Sequence, residues 1–251
     1  LKDALEVCDK LAQTLNASLA RYEPQLLGVY ERAGRPHSRV LEFLGLLLEG
    51  QPRAIPLPRS PLNEALGTTR PLFGIEAMEY RLPVGSRIGA MLGIKEYPTP
   101  TTVGMYNRLL SAPFPFVLTQ GFTFITKATG QRLLQRQYNQ LTASGDYAVS
   151  QAEELKDALD GLTSNEFVLG DHHFSLHVLA ESSQGIAGLN DSLAAAVSYL
   201  GDTGMSVARE DMALEADFWA QLPGAFQKRP RKAAITSRNF AAMAGFHNYP
   251  T

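Results

Sequence analysis

The sequence has a single cysteine, Cys8, so no internal disulfide can form, and a reducing compartment fits that usage. No apolar run reaches the roughly 18 residues a membrane-spanning helix needs. The nearest approach, residues 40–48, is short and is broken by Glu42. Neither charge sign dominates: 23 basic against 25 acidic residues leave a formal net charge of -2, with no overall attraction for nucleic acid or anionic lipid. No G-x-S-x-G occurs, so a hydrolase-type nucleophile elbow has no local support. None of the seven lysines follows a glycine. The phosphate-cradling G-x-x-x-x-G-K-[ST] is therefore missing, and nucleotide hydrolysis of that class cannot be completed by these residues.

What is present is ordinary globular material: 251 residues, 45% hydrophobic and 19% charged, enough for a substantial core. The first segment places Leu5, Cys8, Ala12, Leu15 and Leu19 at helical spacing, which predicts one buried face with Cys8 as a small hydrophobe on it. Pro24 ends that helix. A strand over 26–30 follows, then a buried helix over 38–48 capped by Ser38 and stopped by Gly50. Pro52, Pro56, Pro58 and Pro61 predict a loop without regular structure over 51–71. Strands over 72–82 and 87–97, joined by a turn at Pro83-Val84-Gly85-Ser86, form a hairpin. A short helix over 103–110 leads to a strand over 116–125, rich in aromatic and β-branched residues. The order β-α-β-β-α-β over 26–125 reads as a ferredoxin-like split βαβ within an α+β fold.

Helices and strands continue to alternate beyond that point. A helix spans 131–143, and Ser150-Gln151-Ala152-Glu153 reads as a capping box for the next one. A long strand covers 166–180. A helix carries Leu189, Leu193, Val197 and Leu200, a strand covers 205–208, and Asp211 caps a helix reaching Leu222. This layout divides the chain into a ferredoxin-like half (1–126), a second α/β half (127–224) and a connector (225–251).

Three clusters invite a chemical reading. On a strand, His173, Ser175 and His177 share one face, and Phe174, Leu176 and Val178 the other. With Asp171 and His172 nearby, a metal-dependent enzyme is one alternative, although a third ligand of clear identity is lacking. The plainer reading is a half-exposed strand with its polar residues outward. The carboxylates Glu210, Asp211, Glu215 and Asp217 stand at the start of a predicted helix, where the early ones meet its positive end. The run Lys228-Arg229-Pro230-Arg231-Lys232 reads as a solvated connector. Together with Phe122 and Phe124 on a ferredoxin-like sheet it also admits a nucleic-acid-binding module.

The tail carries a further signal. Trp219 precedes Gln221-Leu222-Pro223-Gly224, then comes Arg229-Pro230-Arg231-Lys232-Ala233-Ala234-Ile235-Thr236-Ser237-Arg238-Asn239-Phe240, then Phe246-His247-Asn248-Tyr249-Pro250. This order, with Gly170-Asp171-His172-His173, resembles the region just upstream of the motor in the CagE/TrbE/VirB family of type IV secretion ATPases. The resemblance implies a non-catalytic region serving assembly, oligomerisation and docking to inner-membrane partners. It implies a P-loop motor, with its ATP and magnesium, beyond Thr251, and no cofactor within these residues. It implies a place at the cytoplasmic face of the bacterial inner membrane among other secretion components, in a homo-oligomer, without direct contact to nucleic acid. Leu1 is no initiator methionine, which fits a piece of a longer protein. No catalytic or metal-binding position is carried over. Arg229, Arg231, Lys232, Arg238, Asn239, His247 and Asn248 are the residues expected to contact a partner or couple this region to the motor.

Overall fold

The computed structural model describes residues 2–66, 69–82, 85–143 and 149–245. The fold is α+β. Its centre is an antiparallel sheet of seven strands built on two long ones, β5 (Ser86–Glu96) and β7 (Leu169–Glu181). Along the outer side of β5 lie β4 (Met78–Arg81) and then β8 (Ser206–Arg209), while β3 (Pro71–Phe73) extends the sheet beyond β4. Along β7 lie β6 (Phe116–Phe124) on one side, and β5 followed by β9 (Ala233–Thr236) on the other. The tail expected as a connector thus supplies a strand to the sheet, and a short helix α9 (Ser237–Ala242) follows it. Thr236 caps α9 by accepting the Asn239 N–H at 3.1 Å.

The split βαβ arrangement does not carry through to strand pairing. The first strand, β1 (Val29–Arg32), pairs with β2 (Arg35–Ser38) in a separate two-stranded ribbon and never joins the main sheet. Ala33 and Gly34 between them both take positive φ (51° and 70°), the mirror-image turn whose twist suits a tight hairpin. That turn lies in Ala-Gly, a pair with no strong sequence signature, so one strand was expected where two occur. Ser38 then caps α2 (Arg39–Glu49) through the Leu41 N–H, and Gly50 closes it at φ 68°, both as expected. Within the proline-rich stretch, α3 (Leu62–Leu66) forms a short helix and Pro56 bridges to His37. The strand expected over 72–82 is two strands, because Gly74 turns the chain by donating its N–H to the Ala77 carbonyl. Pro83 and Val84 of the expected turn lie outside the described residues, as does the Ser150 side chain of the expected capping box.

The two faces of β7 are covered by different material. On one face, Phe174, Leu176, Val178 and Ala180 pack under α7 (Gly185–Gly201), whose Leu189, Leu193, Ala196 and Leu200 recur at helical spacing. The short helix α4 (Asn107–Leu110) adds Leu109 to this core, and Met243, the residue after α9, joins it. Each such large apolar side chain removed from water contributes about 1.5–3 kcal/mol. On the opposite face, α8 (Leu214–Ala220) seals a smaller cluster in which Leu214 and Phe218 meet Met78, Tyr80, Met91 and Leu179. A helical pair, α5 (Lys127–Ala143) and α6 (Val149–Thr163), closes Leu134 and Leu162 onto Leu169. The first helix, α1 (Lys2–Ser18), contributes no buried residue, and Cys8 is exposed. Its apolar spacing is real, but none of its described residues is buried.

Candidate functional site

The odd-numbered residues of β7 carry polar side chains into the interior. His173, Ser175 and His177 are each at most 1% exposed, so the expected half-exposed polar face is corrected to a buried one. The reason is position. A strand of 13 residues paired along both edges lies in the middle of the sheet, and α8 with residues 229–231 covers this face. Such a polar face must find partners from the covering elements, because an unpaired buried polar group costs free energy.

His173 sits at the centre. Its Nδ1 is 2.9 Å from the Pro230 carbonyl, so that nitrogen carries the proton and donates it. Its Nε2 is then the acceptor, 3.3 Å from Oδ1 of Asp217, without the alignment of a good hydrogen bond. Burial, assisted by the adjacent Glu210 and opposed by Arg231, pushes the Asp217 carboxyl up to about 8. Burial also lowers His173, against the pull of the Pro230 carbonyl. Burial thus disfavours the charged form of both groups, which lie close to each other without a hydrogen bond between them. The ion pair that the two residue types suggest is not the favoured state.

Next to this pair, Glu210 is buried and accepts a charge-assisted hydrogen bond from Nε of Arg231. Gly93 of β5 makes room for it: a Cβ there would collide with the Glu210 carboxylate. Arg231 holds the left-handed region at φ 47°, a strained conformation for a side-chain-bearing residue that persists only where its contacts over-determine it. Further along, His177 Nε2 and the Tyr80 hydroxyl share a hydrogen bond of 2.8 Å. Burial drives His177 down to about 3, partly offset by the side chain of Gln221. Several atoms of the cluster, including Ser175 Oγ, Glu210 Oε2 and both Asp217 oxygens, have no hydrogen-bond partner among the described residues.

Arg229 completes the tail's attachment. Its guanidinium lies over Gly121, where any Cβ would come within 2.5 Å, with Nη1 donating to Thr123 Oγ1 at 3.2 Å and the Phe226 ring 4.6 Å away. The basic run is accordingly not a free phosphate-binding cluster: Arg229 is half-buried over Gly121, and Arg231, although exposed, is tied to the buried Glu210, while Lys228 and Lys232 are exposed. Phe122 is likewise occupied, stacked on Phe240 at 4.8 Å, although Phe124 is exposed.

The remaining expected contact residues go elsewhere. Arg238 pairs with Glu166 at 3.0 Å and covers Phe167, at the α5/α6 end of the molecule. Asn239 serves the start of α9 through its backbone. His247 and Asn248 lie outside the described residues. His172 faces the apolar side, with Nδ1 2.8 Å from the Tyr97 hydroxyl and burial lowering it to about 4. Among the described residues no group of three or more His, Cys, Asp or Glu side chains could hold a metal ion, so the Asp171-to-His177 metal reading finds no ligand set. Sequence reasoning placed Glu210 and Asp217 at a helix start, and it placed Asp211 as the cap. In fact Ala213 precedes α8 with no side-chain cap, and Asp211 Oδ1 accepts the Met212 N–H. The available signal was the polar alternation at 173, 175 and 177 on a long strand, which demands buried partners if that strand is central.

Comparison with known proteins adds a second line. A model of the CagE, TrbE, VirB family, component of type IV transporter system, matches residues 25–231. The chain is similar to the type IV secretion system protein virB4 of Bartonella henselae, 43% identical over 249 residues. That match takes in 99% of this chain and 31% of the relative. It is similar to protein virB4 of Agrobacterium tumefaciens, 39% identical over 242 residues, 96% of this chain and 30% of the relative. It is also similar to the type IV secretion system protein PtlC of Bordetella pertussis, 37% identical over 219 residues, 87% of this chain and 26% of the relative. The chain thus spans about a third or less of these relatives' length.

Proposed function

Because the chain belongs to the CagE, TrbE, VirB family of type IV transporter components, we propose that it is the region preceding the motor of a type IV secretion ATPase. In this reading it has no catalytic site. It serves assembly, oligomerisation and docking onto inner-membrane partners, while ATP and magnesium belong to a P-loop domain further along the protein. The observation that carries the reading is the way residues 229–236 are built into the sheet. Three separate ties hold them: the Pro230 carbonyl on His173, Arg231 on Glu210, and β9 on β7. A rigid junction of this kind transmits force or orientation between the sheet and whatever the following chain carries. A flexible linker would dissipate both.

Two measurements test it. The reading frame beyond Thr251 is expected to contain G-x-x-x-x-G-K-[ST], and the 251-residue chain is expected to show no magnesium-dependent ATP turnover. Turnover by this chain, or a continuation without that motif, removes the reading. For docking, photocrosslinkers placed on this region of the whole protein in its native cell should capture inner-membrane secretion components. Capture of none of them leaves the docking role without support.

A further inference from the structure

The strand β6 is an edge of the sheet, and it carries no lysine, no proline and no bulge. Among the described residues it pairs only with β7. The bonds from Leu179 N–H to the Pro115 carbonyl and from Ile125 N–H to the Leu169 carbonyl set the phase of the ladder. Residues 117, 119, 121 and 123 therefore exchange hydrogen bonds with β7. The backbone N–H and C=O groups of Phe116, Leu118, Gln120, Phe122 and Phe124 point the other way, and no backbone partner meets them among the described residues. Nine consecutive residues carry no charge and no proline. Natural edge strands are usually blunted by lysine, proline, a bulge or a covering element, and an unprotected edge is a template for another strand.

Beside this edge runs a groove of about 690 Å³. Residues 116–120 form one side, Phe43 and Leu46 of α2 a second, and Leu222, Pro223 and Phe226 a third. Its lining is mostly apolar, with one cation, Arg229, beside Gly121 at the far end. Arg229 makes no ion pair among the described residues, and its Nε is buried without a partner. We propose that this groove receives an extended segment of a partner polypeptide, which adds as a strand to β6, seats alternate apolar side chains between α2 and residues 222–226, and places a carboxylate on Arg229. This is strand addition, in which backbone bonds supply affinity and side-chain pockets supply specificity. A second copy of β6 is the less suitable occupant, since its uncharged side chains leave Arg229 unpaired. The inference rests on the docking role proposed above and gives it a site and a ligand chemistry.

The probes are acetylated, amidated nonapeptides of alternating threonine and valine with a single aspartate at the first or the last position. Controls carry asparagine there, or carry methyl groups on alternate backbone nitrogens. Fluorescence anisotropy with the purified chain should show binding of one aspartate peptide. Its asparagine counterpart should bind about tenfold more weakly, as loss of a charge-assisted contact implies. The N-methylated peptide should not bind. Leu118→Pro removes an outward N–H without touching the β7 ladder and should abolish binding, while Leu118→Ala, which loses the same side chain, retains it. Arg229→Gln should equalise the aspartate and asparagine peptides. No binding by any peptide to the folded chain overturns the proposal, as does undiminished binding by the N-methylated peptide or by Leu118→Pro. Sedimentation showing a dimer that Leu118→Pro dissolves overturns it in favour of a second copy. If peptides fail while crosslinks to secretion components persist, the groove is wrong and the docking role stands. Loss of both removes both.

Discussion

The two faces of β7 are made by the same 13 residues and are both buried over 172–180, yet they are built on opposite principles. Under α7 the strand offers Phe174, Leu176, Val178 and Ala180, an apolar surface that any well-shaped helix could cover. Under α8 it offers His173, Ser175 and His177, which only particular partners can satisfy. The first arrangement is non-directional and gives stability in proportion to area. The second is directional. It contributes little net energy, but it selects where Pro230, Arg231 and Asp217 must lie, since a misplaced partner leaves a buried polar group unpaired. The apolar face holds the domain together, and the polar face determines how the tail is attached to it.

This contrast can be broken in several ways. The largest effect is expected on the apolar side. Leu176→Ala opens a cavity beneath α7 and should cost about 2–5 kcal/mol in denaturant unfolding, with the tail's attachment unaffected in the remaining folded protein. A loss below 1 kcal/mol means that face is not the stabilising one.

On the polar side, Arg231→Ala leaves the Glu210 carboxylate buried and unpaired. Removing one member of a fully buried pair costs about 3–5 kcal/mol, and partial exposure of Arg231 brings the expectation down to about 2 kcal/mol. The distinctive sign is local: proteolysis between 225 and 236 should rise more than global unfolding does. The double change Glu210→Gln with Arg231→Ala should recover part of the loss. Equal cleavage in wild type and variant contradicts the anchoring of the tail.

Asp217→Asn sharpens the comparison through pH. The folded Asp217 holds its proton up to about 8, whereas in the unfolded chain it releases it near 3.8. Between those values the native state binds the extra proton, so this group makes stability fall as pH rises. Asparagine removes that slope. The variant's stability should therefore improve relative to wild type on going from pH 4 to pH 8, and parallel curves would sink the protonation assignment. The buried histidines act in the opposite sense. His177, held down to about 3, cannot take the proton that the unfolded chain binds below 6.5, so acidification through that range destabilises. The smallest effect belongs to α1: Cys8→Ser, on an exposed surface, should change stability by less than about 0.5 kcal/mol.

Much of the secondary structure was legible in the residues. Ser38 and Gly50 bounded α2 because capping chemistry is local, and Leu189, Leu193 and Leu200 marked α7 because helical periodicity is local too. The tail's resemblance to a known family was legible for a different reason, as an ordered run of residue types. The failures share one cause. Cys8 and Leu5 have the spacing of a buried face, but spacing says only which residues align, not whether anything covers them. The alternation at 173, 175 and 177 likewise announced a polar face without saying on which side of the sheet water would be.

By itself, then, the sequence determined the longer helices and strands, the missing phosphate cradle and the family, since each depends on residues close together in the chain. Only the tertiary structure decided that β1 leaves the main sheet, that β7 is central, and that Asp217 and Pro230 meet His173 across 44 and 57 residues of chain. Strand order and the pairing of distant polar groups are set by competition among non-local contacts and by the entropy of closing long loops, neither of which leaves a mark on any short stretch of sequence.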